Sequence, residues 1–187
     1  NNTLLQTLQC HNIQISSIDV SNNTALTILD VSLNSISSID VSNNTSLITL
    51  FCGQNPLTSL NVSNNIALQD LYCEIAQLTS LDVSSNVALL NLNCSENSIL
   101  TLDLSANTAL QTLDCAVNQL SALNVSNNTN LTSLGASFNS IVNLDVTSNI
   151  LLQTLTVMSN LITSIDVSGN TALTTFTCST NALTSLN

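Results

Sequence analysis

Leu110 to Asn130 reads LQTLDCAVNQLSALNVSNNTN, and this stretch decides the fold. It contains two similar halves, L-x-x-L-x-C-x-x-N and L-x-x-L-x-V-S-x-N. In each half the last two apolar residues are separated by one, which is strand spacing with both side chains on one face. Asn follows each short apolar run and suits a turn, because its side chain bonds nearby backbone and tolerates left-handed geometry. Neither half has the ten or more residues a helix wants, and Ser, Thr, Asn and β-branched residues disfavour helix.

The same 21-residue unit repeats along all 187 residues. Its leading leucine stands at Leu5, Leu26, Leu47, Leu68, Leu89, Leu110, Leu131, Leu152 and Leu173, without insertion or deletion. A strict period of this length signifies a solenoid. Counting from the leading leucine as zero, offset 3 is Leu, or Phe176 in the last copy, and offset 5 is Cys, Val or Ala. Offset 8 is Asn except at Ile13 and Ala76, whose turns must be satisfied in another way. Offsets 10 and 13 are Leu or Ile, offset 14 is Asp or Asn, offset 15 is Val or Leu104, and offset 18 is always Asn. The expectation is an all-β-rich solenoid of nine stacked coils, with two short parallel strands per coil and little or no helix. The turns should stack as two asparagine ladders. Coils about 4.8 Å apart make the stack roughly 40 Å long. Residues 1–187 form one solenoid domain, which begins inside one repeat and stops inside another at Asn187, and so reads as an uncapped piece of a longer protein.

Composition narrows the function. The chain is 44% hydrophobic but only 6% charged, and it has no Lys or Arg. A net charge of −11 argues against nucleic acid, whose phosphates need basic side chains. It argues equally against anionic membrane surfaces, and no apolar run approaches the ~20 residues of a membrane helix.

With these residues set out, L-x-x-L-x-C-x-x-N-x-L resembles a leucine-rich repeat over the whole chain. The second half, L-x-x-L-D-V-S-x-N, resembles the IRREKO class of 21-residue bacterial repeats, and Cys at offset 5 resembles the cysteine ladder of J-type internalins. The resemblance implies a secreted or surface-anchored bacterial protein that binds other macromolecules. The matching residues are structural, so they specify fold more than function.

The candidate chemistry is sparse. Cys10, Cys52, Cys73, Cys94, Cys115 and Cys178 share one column. In-register stacking keeps Cβ atoms about 4.8 Å apart, beyond the roughly 3.5–4.5 Å of a disulfide. Val31, Ala136 and Val157 fill the same slot, so the column reads as buried free thiols. A straight ladder cannot wrap a zinc ion. Asp19, Asp40, Asp82, Asp103, Asp145 and Asp166 occupy offset 14, interrupted by Asn61, Asn124 and Asn187. Each is expected to accept a backbone N–H in the turn that follows; calcium between paired acids is the sharper alternative. His11 is the only histidine, and no nucleophile is spaced beside it. Sequons such as Asn22-Asn23-Thr24 and Asn61-Val62-Ser63 are what an Asn/Ser/Thr-rich turn writes by default. No enzyme activity, metal or cofactor is expected.

A partner surface is more legible. Outward positions of the second half are monotonous, whereas those of the first vary. Offset 4 reads Gln9, Asp30, Phe51, Tyr72, Asn93, Asp114, Gly135, Thr156 and Thr177. Phe51 and Tyr72 lie on adjacent coils and should touch, with Asp70, Glu74 and Glu96 around them. Asp30, Asp114 and the offset-7 Phe138 extend this first-strand face, where a protein or glycan ligand is expected. The alternative is a passive spacer, or an ice- or glycan-facing hydroxyl sheet on the second side, where Thr58, Thr79, Thr163 and Thr184 share an offset.

Overall fold

The computed structural model describes residues 2–186 and follows the 21-residue period throughout; Asn1 and Asn187 lie outside the described residues. Nine three-residue strands occupy offsets 2 to 4: β1 Thr7–Gln9, β2 Ile28–Asp30, β3 Thr49–Phe51, β4 Asp70–Tyr72, β5 Asn91–Asn93, β6 Thr112–Asp114, β7 Ser133–Gly135, β8 Thr154–Thr156 and β10 Thr175–Thr177. They form one parallel sheet in chain order, and every register pairs a residue with the one 21 positions on. The central residue of each strand points inward and the two flanking ones point outward. No helix forms among the described residues.

The second side differs from the expectation of a second strand in every coil. Only β9 Ser164–Ile165 and β11 Ser185–Leu186 pair there as strands. Elsewhere a recurring backbone bond, such as Ser98 N–H to the Leu78 carbonyl at 2.9 Å, ties neighbouring coils, except where Pro56 supplies no N–H. The offset-14 side chain takes the N–H two residues on both where strands are absent and where they form, as Asp82 Oδ1 does from Ser84 and, in the coil of β9, Asp166 Oδ1 does from Ser168, each at 2.9 Å.

The core is a stack of aliphatic and thiol columns. In coil four, Leu68, Leu71, Cys73, Leu78 and Val83 are fully buried and Leu81 nearly so. Burying a leucine contributes about 1.5–3 kcal/mol, so each coil is held chiefly by its contacts with the coils on either side.

Two asparagine columns tie the coils together. The offset-18 amides are buried from Asn44 to Asn170. Asn107 Nδ2 donates to the Val83 carbonyl at 3.0 Å and to the Asn86 carbonyl at 2.9 Å, both in the preceding coil. At offset 8, Asn97 Nδ2 donates to Cys73 of the preceding coil and to Cys94 and Ser95 of its own, while its Oδ1 accepts Leu78 N–H. Both ladders therefore run from side chain to backbone, and toward the preceding coil only. Where Ala76 replaces this Asn, Leu57 N–H turns to the Asn55 carbonyl at 2.8 Å, across Pro56. Ile13 lies in the first coil, and its N–H donates to Asn34 Oδ1.

The left-handed turn residue is not the Asn of offset 8 but its neighbour at offset 7. φ is positive at Asn12, Leu33, Gln54, Ile75, Glu96, Val117, Phe138, Ser159 and Thr180, between 51° and 58°. Asn12 and Ile75 share the left-handed φ although Ile13 and Ala76 follow them, so the turn is set by the coil backbone, and the Asn amide, where present, braces it with three carbonyl bonds.

Candidate functional site

The outward face of the nine-stranded sheet carries Asp30, Phe51, Asp70, Tyr72 and Asp114 of the expected partner surface. The register puts Phe51 beside Tyr72, with Asp30 on the far side of Phe51 and Asn93 on the far side of Tyr72. The two rings stack, with centroids 4.8 Å apart and planes 17° from parallel. Both are half-buried. Burial, with Asp70 and Glu74 nearby, pushes the Tyr72 hydroxyl above its ordinary pKa.

Asp70 is two residues upstream of Tyr72 and points to the same outward side. It belongs to a hydrogen-bonded chain along offset 2 that the sequence reading missed. Thr49 Oγ1 donates to Asp70 Oδ2 at 3.0 Å, Asn91 Nδ2 donates to Asp70 Oδ1 at 2.6 Å, and Thr112 Oγ1 donates to Asn91 Oδ1. Reading offset 2 as a column would have found it, since Thr49, Asp70, Asn91 and Thr112 stand 21 apart. The chain fixes the floor beside the aromatic pair across β3 to β6.

Glu74 follows the strand and folds over Gly53 of the coil before. A Cβ at position 53 would lie 2.6 Å from Glu74 Cδ and 2.9 Å from the Glu74 carbonyl oxygen, so only glycine fits. Glu74 Oε2 is buried and receives no bond from the protein. Glu96 and Phe138 both occupy left-handed offset-7 turns, on the edge rather than on the sheet. Phe138 is 54% exposed and sits three coils beyond Tyr72, so it does not join the aromatic pair. Asp114 lies on the outward column two coils past Tyr72, where its Oδ1 accepts Ala116 N–H. Asp30 Oδ1 accepts from Ser32, and its Oδ2 lies 3.1 Å from His11 Nδ1, so His11 has a carboxylate partner rather than solvent alone.

The other candidate residues are structural. All six cysteines are free. Burial raises the Cys52 and Cys94 thiols to about 12 and lifts Cys73 and Cys115 well above the ordinary value. The offset-14 aspartates each accept the N–H two residues on, and the Ser or Thr bond holds their carboxyls below the usual range. Asn61 and Asn124 make the same bond without charge. Among the described residues, no group of three or more His, Cys, Asp or Glu could hold a metal ion. On the second side, Thr58, Thr79, Thr163 and Thr184 are exposed, but Leu100 and Val142 break their column. Among the described residues, no helix is long and apolar enough to cross a membrane.

A stack of 21-residue coils with one continuous parallel sheet and a buried thiol column defines a leucine-rich repeat protein. The chain is one, and its repeats are of the bacterial, internalin-like kind with a cysteine ladder. It is similar to the functional domain of InlJ from Listeria monocytogenes, which includes a cysteine ladder: 38% identity, TM-score 0.80, covering 99% of this chain and 46% of that one. It is similar to an internalin, InlF, of the same organism at 25% identity and TM-score 0.89, over 98% of this chain and 57% of that one. The ectodomain of the Arabidopsis thaliana receptor kinase GASSHO1/SCHENGEN3, in complex with Casparian strip integrity factor 2, shares the fold at 23% identity and TM-score 0.83, over 100% of this chain and 25% of that one. The chain thus spans about half the length of the two internalins. No family model matches the chain, and no curated protein sequence matches it.

Proposed function

We propose that the chain is the non-enzymatic binding module of a secreted or surface-exposed bacterial protein, adhesin-like, which holds a protein partner against the outward face of its nine-stranded sheet. The observation that carries this is the Phe51–Tyr72 stack, two aromatic rings 4.8 Å apart on a mostly polar face. Aromatic anchors amid a polar rim are the common composition of binding hot spots. Likeness to internalins supports the protein class and the extracellular location. The receptor ectodomain crystallised with a partner supports a protein ligand for a sheet of this kind. A hydroxyl sheet on the second side draws less support, because Leu100 and Val142 interrupt it and only β9 and β11 pair there.

The test is capture of a purified partner by the wild type and by Phe51→Ala/Tyr72→Ala. Capture should weaken at least tenfold in the double variant, with the β-sheet circular dichroism unchanged. Undiminished capture removes this face as the site.

A further inference from the structure

We infer that the face around Phe51 and Tyr72 takes a cationic side chain, so that the partner is a basic protein segment presenting Arg or Lys; this rests on the reading of the face given above. Charge is the first argument. The chain has 11 acids, one histidine and no Lys or Arg, so it supplies no fixed cation to any of its own carboxylates. Complementary charge on a partner is what suppresses wrong partners and speeds encounter with the right one.

Geometry then singles out this place among the acids. On the second side each aspartate has its Oδ1 committed to a turn N–H, and the acids are spread evenly with Asn between the pairs. Beside the aromatic stack the acids differ from that pattern and from one another. Asp70 has both oxygens engaged by Thr49 and Asn91, so it braces the floor. Glu74 is folded onto Gly53 with Oε2 buried and no donor supplied by the protein. Asp30, next to Phe51 in register, keeps Oδ2 facing outward toward His11. The stacked rings close their facing sides on each other, so a guanidinium or ammonium seats on the free outer face of Phe51, where it meets the negative face of the ring and finds the Asp30 carboxylate beside it. Neither component alone selects a cation: scattered acids attract any counter-ion, and isolated rings attract any apolar group. Together they favour Arg over Lys, because a planar guanidinium stacks on a ring while its edge donates to a carboxylate.

The chain carries its own reporter. Tyr72 is the only tyrosine and there is no tryptophan, so tyrosine emission comes from this site alone. The probe is the peptide acetyl-Gly-Arg-Gly-Arg-Gly-amide, titrated against the wild-type chain, with the citrulline peptide as its uncharged isostere. The Arg peptide should change Tyr72 emission saturably and weaken with salt, and the citrulline peptide should not. Phe51→Ala should weaken the Arg peptide about fivefold, the size of a cation–π contact of ~1 kcal/mol. Asp82→Asn/Asp103→Asn, which removes the same kind of charge from the other side, should change it less than twofold. Equal weakening in both variants would mean that bulk charge alone binds the peptide, and would overturn the inference. So would saturation by phosphatidylcholine vesicles without a response to the peptide, which would assign the site to a lipid headgroup. If neither probe moves Tyr72 while partner capture is still lost in Phe51→Ala/Tyr72→Ala, the cationic inference fails and the binding face stands. If that capture is undiminished, the binding reading itself fails.

Discussion

At each coil's first corner the offset-7 residue takes the left-handed turn, joined in the first coil by Gln14 at φ 64°, and its identity is poorly suited in several coils. Ile75 at φ 51° and Val117 at φ 54° are β-branched, and such residues in this region are strained by about 1–3 kcal/mol each. Both are exposed, so nothing in the core requires them. Ile75→Asn and Val117→Asn should each raise the melting temperature by about 2–4 °C for each kcal/mol recovered. Thermal denaturation checks this, and unchanged or lowered values would show that the turn is not strained. The opposite sign is expected at Asn107, buried in the offset-18 ladder with two bonds to the preceding coil. Asn107→Ala should cost about 1–3 kcal/mol in urea denaturation. The strained position was not legible in the sequence, because Asn, Leu, Gln, Ile, Glu, Val, Phe, Ser and Thr all occupy it, so no residue type marks it. The neighbouring Asn was legible. It holds the turn by hydrogen bonds rather than by its own left-handed backbone.

Columns, not coils, are the elements of this molecule. The thiol column reads directly from the sequence, since Cys, Val and Ala share one slot and only an apolar slot accepts all three. Its chemistry follows from burial. The folded-state pKa of Cys52 and of Cys94 is raised from 9.0 to about 12. A raised pKa favours folding while both states stay protonated, so the contribution is complete below pH 9 and is lost as pH rises toward 12. Stability should fall over that window by up to about 1.4 kcal/mol per pH unit for each buried thiol. Cys52→Val should flatten the fall in urea denaturation at pH 8 and pH 10.5; an equal slope in the variant would place that thiol in water. The aromatic pair was legible for the same reason as the thiols, a spacing of 21 within one column. The second strand was not. Alternating Leu and Val gave the right inward face, but an inward-facing alternation does not by itself make neighbouring backbones pair, and on this side only β9 and β11 do.

Over the whole molecule, one sign of charge dominates. With 11 acids, no Lys or Arg, and a sequence pI near 4.1, repulsion opposes compaction at neutral pH. Raising NaCl from about 10 mM to 150 mM shortens the screening length from roughly 30 Å to 8 Å. The melting temperature should rise by a few degrees over that range, whereas a salt-independent value would mean that the acids are too dispersed to matter. Function was less legible than fold at this scale, because the columns that define the solenoid are the buried ones. The proposed site shows at the only two aromatics of a column that otherwise varies among polar residues and glycine, Phe51 and Tyr72, and in the Glu74–Gly53 fold beside them. Both fold and site stand on residues 21 apart becoming neighbours, and these two rings test that directly. In a two-dimensional nuclear Overhauser spectrum of the native protein, Tyr72 ring protons should show cross-peaks to Phe51, and their upfield ring-current shift should vanish in Phe51→Ala. A Tyr72 ring at random-coil shifts with no contact to Phe51 would contradict the 21-residue coil and the site built on it.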